Sequence, residues 1–165
     1  MILKEILNRR SIRKFKPDAV SEESITEIIK AAQFAPTAKN NKALEFIVVR
    51  DQETKNKMFE IIGQDFIKEA PILILPVIEE ENSVAPTQDI SLATAQMFLQ
   101  ATSLGLGSVW KNVAKEDWSP RVKALLGIPE SFILINLIPI GYPAEIIPPH
   151  NDEEFDTKKI HPEKW

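Results

Sequence analysis

The sequence predicts an α+β fold, in which a mixed or antiparallel sheet is flanked by helices, from three observations. Helix-like and strand-like segments are interspersed, but they do not alternate strictly as in a parallel α/β protein. The run PILILPVI, residues 71–78, is entirely apolar, which predicts a strand buried on both faces. Residues 87–104 have helical character with apolar side chains on nearly every side, so this helix should be enclosed by a core or by a subunit interface.

Local signals predict the other elements in chain order. Apolar residues at positions 2, 3, 6 and 7 predict a first short helix that ends near Asn8. Ser21 is a favourable N-cap for a second helix, and Pro36 should end it. The remaining predictions are a strand at 45–50, helices at 52–62 and 66–68, a short strand at 107–110, a helix at 119–126 with Gly127 as its C-cap, and one long strand at 131–141.

The composition excludes several classes of protein. The 165 residues suit a single domain, 1–165, and the 44% hydrophobic and 27% charged content is typical of a globular chain, which we expect in the cytoplasm. The net charge of −4 argues against nucleic acid as the main partner. The longest apolar run is far shorter than the ~20 residues that cross a bilayer. There is no cysteine, and His150 and His161 both lie near the end, so neither a metal site nor a histidine triad is expected.

A basic segment opens the chain despite its acidic balance. In RRSIRKF, residues 9–15, four cations surround Ser11. If the chain is extended after Asn8, Arg9, Ser11 and Arg13 share one face and span about 13 Å. Two guanidinium groups with a hydroxyl between them suit a phosphate. Alternatively, these cations complement the dipole of the first helix and remain solvated.

Two further stretches are open to more than one interpretation. The loop APTAKNNKALEF, residues 35–46, is rich in donors and acceptors. It is either a plain helix exit and turn or a set of groups that hydrogen-bond a planar, polar-edged ligand such as an isoalloxazine. The stretch GLGSVW, residues 105–110, lacks the third glycine of a dinucleotide fingerprint and follows a helix, which favours a C-cap and a turn into a strand.

Taken together, the segments resemble the nitroreductase family of FMN-dependent oxidoreductases. The resemblance rests on NRRSIRKF, AAQFAPTAKNNKALEFIVV, DISLATAQMFLQATSLGLGSVW, LIPIGYPAE and the closing HPEKW, which occur in the family's order over nearly the whole chain. It implies a nitroreductase-like α+β fold and an interlocked homodimer with two FMN sites at its interface. The tail, residues 144–165, would wrap the partner subunit.

The resemblance also implies three sets of FMN-binding residues. The set at the phosphate and ribityl chain is Arg9, Arg10, Ser11 and Arg13. The set that borders the flavin from the partner subunit is Thr37, Ala38, Lys39 and Asn40. The set that contacts the ring through its backbone is Val109, Trp110 and Lys111.

The implied activity is a ping-pong reaction carried by FMN rather than by protein acids and bases. NADH or NADPH would give a hydride to flavin N5 and leave, and a nitroaromatic, a quinone or a free flavin would then be reduced. Lys111 or backbone N–H groups would stabilise negative charge near the flavin N1 and O2. Two other functions stay open: a flavin-binding protein for storage or sensing with little turnover, and a structural dimer without FMN.

Three positions differ from the family pattern. The family often has Asn-x-Gln-Pro-Trp where this chain has NNKAL, residues 40–44, so the acceptor pocket should differ. A glycine often found two residues after the Trp110 position is Asn112 here. The tail region that often supplies a basic pair to the phosphate reads NDEEF, residues 151–155, which predicts weaker FMN binding than is usual.

Overall fold

The sheet at the centre of the fold has six strands, and all neighbouring strands are antiparallel. The computed structural model describes residues 1–165. Its helices are α1 (Lys4–Asn8), α2 (Glu22–Gln33), α3 (Gln52–Ile62), α4 (Phe66–Glu69), α5 (Pro86–Ser103) and α6 (Ser119–Leu126). Its strands are β1 (Leu44–Val49), β2 (Ile72–Glu79), β3 (Gly107–Ser108), β4 (Lys111–Asn112), β5 (Phe132–Ile133) and β6 (Asn136–Gly141). The predicted α+β class is confirmed.

Strand β2 lies inside the sheet and is covered on both faces, as its apolar sequence predicts. The strand order is β1-β2-β6-β3, with β4 paired to β6 and β5 paired to β2. Ile72, Ile74 and Ile78 pack in one core layer with α2 and α5. The intervening residues of β2 pack in a second layer with α3, α4 and α6. This alternation follows from the two-residue period of a strand.

Local capping sets the helix ends. The Ser21 side chain accepts a hydrogen bond from the backbone N–H of Ser24 and starts α2, which ends at Gln33, before Pro36. Helix α6 ends at Gly127, whose φ of 68° is in the left-handed region that glycine adopts without steric cost. The predictions for these helices are confirmed to within three residues.

The prediction of one long strand at 131–141 is wrong, because the chain leaves the ladder between β5 and β6. The carbonyl of Ile135 accepts backbone hydrogen bonds from Val113 (2.8 Å) and Ala114 (3.1 Å). The segment after β4 therefore takes the acceptor at this position and breaks the strand. The predicted strand at 107–110 is shortened to β3, and the separate strand β4 begins just after it; both pair with β6.

Helix α5 is buried on one side only within this chain. Its buried residues are Asp89, Ile90, Ala93, Thr94, Met97 and Ala101. Leu92 on another side is 45% exposed, and Ala95 is also exposed. The chain alone therefore does not enclose α5, and the subunit interface expected from its sequence remains a prediction.

The tail is almost entirely uncovered by the rest of the chain. Residues 151–165 are all exposed, including Phe155 and Trp165. Two short 3-10 turns, Asp152–Glu154 and Thr157–Lys159, are its only regular structure. The prediction that it wraps a partner subunit stays open. No helix in the structure has the length and apolar character needed to cross a membrane.

Candidate functional site

The basic segment, residues 9–16, lies directly against β3. After α1 ends at Asn8 the chain is extended, and the Ile12 N–H donates to the Ser108 carbonyl at 3.0 Å. Ser11 and Ser108 form a parallel bridge. The approach depends on Gly107, because a Cβ there would lie 2.7 Å from the Ile12 Cβ. This packing brings the predicted phosphate set next to the segment that begins at Val109.

Arg13 points away from the core with its charge free. Its backbone N–H donates to Glu145 Oε1 at 2.7 Å, and the N–H of Lys14 donates to the same oxygen at 3.2 Å. The Arg13 side chain is exposed and forms no ion pair. Glu145 thus holds the backbone and leaves the Arg13 guanidinium available to an anion.

The tail returns to the other two arginines. Arg9 Nη2 lies 3.4 Å from His150 Nε2, and Arg10 Nη1 lies 3.7 Å from Glu154 Oε1. His150 Nδ1 lies 2.6 Å from Glu154 Oε2, and its backbone N–H donates to the Leu7 carbonyl at 2.8 Å. The hydrogen bond with His150 lowers the pKa of Glu154, and the charge of Arg10 adds to this effect. The acidic turn therefore places a carboxylate beside the predicted phosphate set.

The segment Val109, Trp110 and Lys111 leads from β3 into β4. The Val109 side chain is buried at 3% exposure, while Trp110 and Lys111 are half-buried. Lys111 Nζ lies 5.0 Å from the centre of the Trp118 ring, within cation–π distance. The ammonium expected near the flavin is thus directed to Trp118, which leaves the backbone N–H groups as the better candidates for that role.

Asp89 organises the loop that contains the third predicted set. It is 1% exposed and accepts hydrogen bonds from Ser83 Oγ (2.6 Å), the Ala38 N–H (2.8 Å) and Asn41 Nδ2 (2.9 Å). Burial opposes the charge, but these hydrogen bonds outweigh it and lower the pKa of Asp89. This role of Asp89 was not predicted, although a lone carboxylate in the first turn of an apolar helix was the signal for it.

The opposite side of this loop borders a pocket of about 360 Å³. The lining residues are Gln33, Phe34, Ala35, Thr37, Asn40, Lys42 and Leu44. Thr37 Oγ1 is buried without a hydrogen-bond partner. Asn40 and Lys42 both have a φ of 53°, in the left-handed region that is uncommon for residues other than glycine. An unpaired buried hydroxyl and an unusual backbone are typical of a site that binds a ligand.

One chain does not bring the loop and the basic segment together. Asp89 holds the loop at the start of α5, whereas Thr102, at the end of α5, lines a small cavity with Arg10. Thr102 lies thirteen positions after Asp89 in the same helix, which corresponds to about 20 Å along the axis. The predicted phosphate and backbone sets are adjacent within one chain, and the predicted partner set lies apart from the phosphate set.

These groups fit an FMN-like cofactor. The unpaired guanidinium of Arg13 and the hydroxyl of Ser11 suit a phosphate, and the backbone of the neighbouring residues 109–111 suits the polar edge of a planar ring. Thr37 Oγ1 adds an unpaired hydroxyl on a separate surface. The donor set therefore agrees with an anionic, planar group held between two surfaces.

Comparison with known proteins identifies relatives over nearly the whole chain. The sequence model described as Nitroreductase family matches residues 6–71 and 62–142. A Methanothermobacter thermautotrophicus protein, provisionally named NADH dehydrogenase/NAD(P)H nitroreductase, is 39% identical and covers 99% of this chain and 87% of its own length. An Archaeoglobus fulgidus protein with the same provisional name is 39% identical, and the match covers 99% of this chain and 98% of that protein. A solved structure, an FMN-dependent nitroreductase from Clostridium difficile, superposes with a TM-score of 0.91 at 33% identity and covers 98% of each chain.

Proposed function

Since this chain belongs to the nitroreductase family, we propose that it acts as a homodimer that reduces nitroaromatics, quinones or flavins in a ping-pong reaction. It is an FMN-dependent NAD(P)H oxidoreductase, in keeping with the names of its relatives and of the superposed structure. The observation that carries the proposal is the position of the basic segment on β3. One chain would thereby offer an anion site and, next to it, the backbone of residues 109–111 for the flavin ring.

The phosphate would be held by Arg9, Ser11 and Arg13. Arg13 supplies a guanidinium that has no carboxylate partner, and Glu145 fixes the backbone from which it projects. Arg10 would take a smaller share, because Glu154 already lies 3.7 Å from it. A planar guanidinium can donate two hydrogen bonds to two oxygens of one phosphate, which favours arginine here.

The partner subunit would supply Thr37, Ala38, Lys39 and Asn40. Two observations support this arrangement: the distance of about 20 Å between Asp89 and Thr102 along α5 within one chain, and the exposed side of α5 at Leu92. A two-fold related copy would cover that side and bring its own loop to the basic segment. The uncovered tail would pack on the same copy.

FMN, when bound, supplies the hydride chemistry that protein side chains cannot provide. The protein positions the donor and acceptor in turn and excludes water from the exchange. For a nitro acceptor, one NAD(P)H and one proton convert the nitro group to a nitroso group, with release of NAD(P)⁺ and water. Negative charge near the backbone of Trp110 and Lys111 would be stabilised by N–H donors.

A flavin-binding protein with little turnover is the second candidate. It is favoured by the carboxylate of Glu154, which lies 3.7 Å from Arg10 of the basic segment, and by the altered loop at residues 40–44. This candidate predicts a yellow protein that does not oxidise NAD(P)H. A structural dimer without FMN predicts a colourless protein.

The decisive experiment mixes the FMN-loaded protein anaerobically with NADH and with NADPH in a stopped-flow instrument. Loss of the flavin absorbance with either donor, and its return on adding a nitroaromatic or quinone, is the expected result. Absence of bleaching with both donors would leave only the flavin-binding candidate.

The same protein tests the phosphate assignment through Arg13→Ala, with Lys16→Ala as the control cation from the same segment. Loss of a charge-assisted contact should weaken FMN binding by roughly tenfold or more in the first variant only. Full retention of FMN by Arg13→Ala would show that the assignment is wrong.

A further inference from the structure

The pocket lined by Thr37, Asn40 and Lys42 carries chemistry that cofactor binding alone does not explain. Its volume of about 360 Å³ is near the lower end of ligand pockets, which span about 300–1,000 Å³, and suits a molecule of one or two rings. The pocket combines one cation, two amides, a hydroxyl and an aromatic ring. No lining residue is acidic.

The loop divides its residues between two surfaces. The Ala38 N–H and the Asn41 side chain face Asp89, and Asn41 Oδ1 also accepts from the Ala43 N–H at 3.1 Å. The alternate residues, Thr37, Asn40 and Lys42, border the pocket. Because the first surface is anchored to a buried carboxylate, the groups on the second surface are held in place without using their own side chains.

The pocket side chains keep their hydrogen-bonding capacity free. Lys42 is exposed and forms neither an ion pair nor a side-chain hydrogen bond, and Thr37 Oγ1 is buried without a partner. Phe34 is 72% exposed, so an aromatic face lies open at the pocket. Ala35 and Leu44 add buried apolar walls.

We infer that this pocket binds the electron acceptor and that Lys42 makes it select aromatic acceptors with an anionic group. An aromatic ring would stack on Phe34, and a carboxylate or similar oxygen anion would pair with the Lys42 ammonium. The inference rests on the proposed function, since Thr37 and Asn40 belong both to the pocket and to the set expected to border the flavin. Lys42 stands where the family often has an uncharged glutamine, so the cation in this pocket departs from the family pattern.

The test compares two acceptors of nearly the same shape and different charge, 4-nitrobenzoate and 4-nitrobenzamide. For the FMN-loaded wild type, kcat/KM should be higher for the benzoate. Lys42→Gln should lower that ratio roughly tenfold, the size of one charge-assisted contact, and leave the benzamide value unchanged. Lys42→Arg keeps the charge and should restore most of the preference.

Lys30→Gln is the matched control. Lys30 lies in α2, three residues before Gln33 of the pocket, is exposed and does not line the pocket. It should leave both acceptors unaffected. An unchanged ratio in Lys42→Gln, or an equal loss in Lys30→Gln, would overturn the inference.

A binding measurement separates this inference from the proposed function. Saturation-transfer NMR with benzoate, which cannot be reduced, reports pocket occupancy without turnover. Benzoate should bind equally well to wild type and Lys30→Gln, and should bind about tenfold more weakly to Lys42→Gln. If wild type reduces neither nitro compound yet shows this pattern, the proposed function fails and the pocket assignment stands. If turnover is normal and benzoate binding does not depend on Lys42, the pocket assignment fails alone.

Discussion

Replacement of Asp89 by alanine should destabilise the protein and loosen the 37–42 loop. Asp89 is 1% exposed and accepts three hydrogen bonds of 2.6–2.9 Å, two of which join the loop to α5. A hydrogen bond to a charged group contributes about 1.5–3 kcal/mol, but Ser83 and Asn41 are half-buried and can rehydrate in the variant. We therefore expect a loss of about 3 kcal/mol rather than the full sum, which is a large part of a typical stability of about 5–15 kcal/mol.

Urea unfolding followed by circular dichroism, at one fixed protomer concentration and without FMN, measures this loss. Asp89→Asn keeps one acceptor oxygen, so its free energy of unfolding should lie between those of Asp89→Ala and wild type. Asp117→Ala removes an exposed carboxylate that forms no hydrogen bond, so it should stay within about 0.5 kcal/mol of wild type. Hydrogen exchange at residues 37–41 should quicken in Asp89→Ala only. A change below about 0.5 kcal/mol in Asp89→Ala would refute the reasoning, since surface substitutions are of that size.

The same carboxylate gives the effect a defined pH dependence. The pKa of Asp89 is lower in the folded protein than in the unfolded chain, so the unfolded chain takes up the proton first as the solution is acidified. The stabilisation is complete above the usual aspartate pKa and is lost as the pH falls through the lowered, folded value. The difference between wild type and Asp89→Ala should therefore shrink in acid, and a constant difference down to the lowest accessible pH would contradict this account.

Three further predictions concern the basic segment and the interface. Gly107→Ala places a Cβ 2.7 Å from the Ile12 Cβ, so it should lower the free energy of unfolding, measured by thermal unfolding, by about 1–3 kcal/mol and also weaken FMN binding. An unchanged melting temperature would be evidence against the close approach. Glu154→Gln removes an anion beside the phosphate set and should tighten FMN binding about twofold to fivefold, whereas Glu153→Gln, whose carboxylate makes no contact, should not; weaker binding in the first variant would show that Glu154 supports the site. Leu92→Glu puts a charge on the uncovered side of α5 and should shift the mass measured by light scattering toward the monomer; an unshifted dimer would place the interface elsewhere.

Local chemistry explains why much of the fold was predictable. Ser21 caps α2 through its own neighbour Ser24, and Gly127 ends α6 through its own backbone angle, so neither depends on distant residues. The apolar run of β2 likewise had to be buried on both faces, whichever elements were its neighbours. The break between β5 and β6 was not predictable, because it depends on Ile135 accepting hydrogen bonds from Val113 and Ala114 rather than on the composition of 131–141.

The candidate site divides in the same way. The sequence indicated which groups residues 9–13 could present to a phosphate if they are extended, and the structure shows that they are. The sequence indicated a weakened phosphate site from the acidic tail, but Arg10 and Glu154 are 144 positions apart, and only folding selects Glu154 among its acidic neighbours. Asp89 and Ala38 are similarly joined across 51 positions.

The sequence by itself therefore determined the fold class, the family resemblance and the charged groups available for FMN. The tertiary structure alone decided which cations of the candidate site and of the neighbouring pocket remain free. Arg13 and Lys42 keep unpaired charges, Arg10 is paired and Lys111 is directed to Trp118. The physical reason is that the periodicity and capping of an element depend on near neighbours, whereas pairing of a charge depends on what the completed fold places within about 4 Å of it.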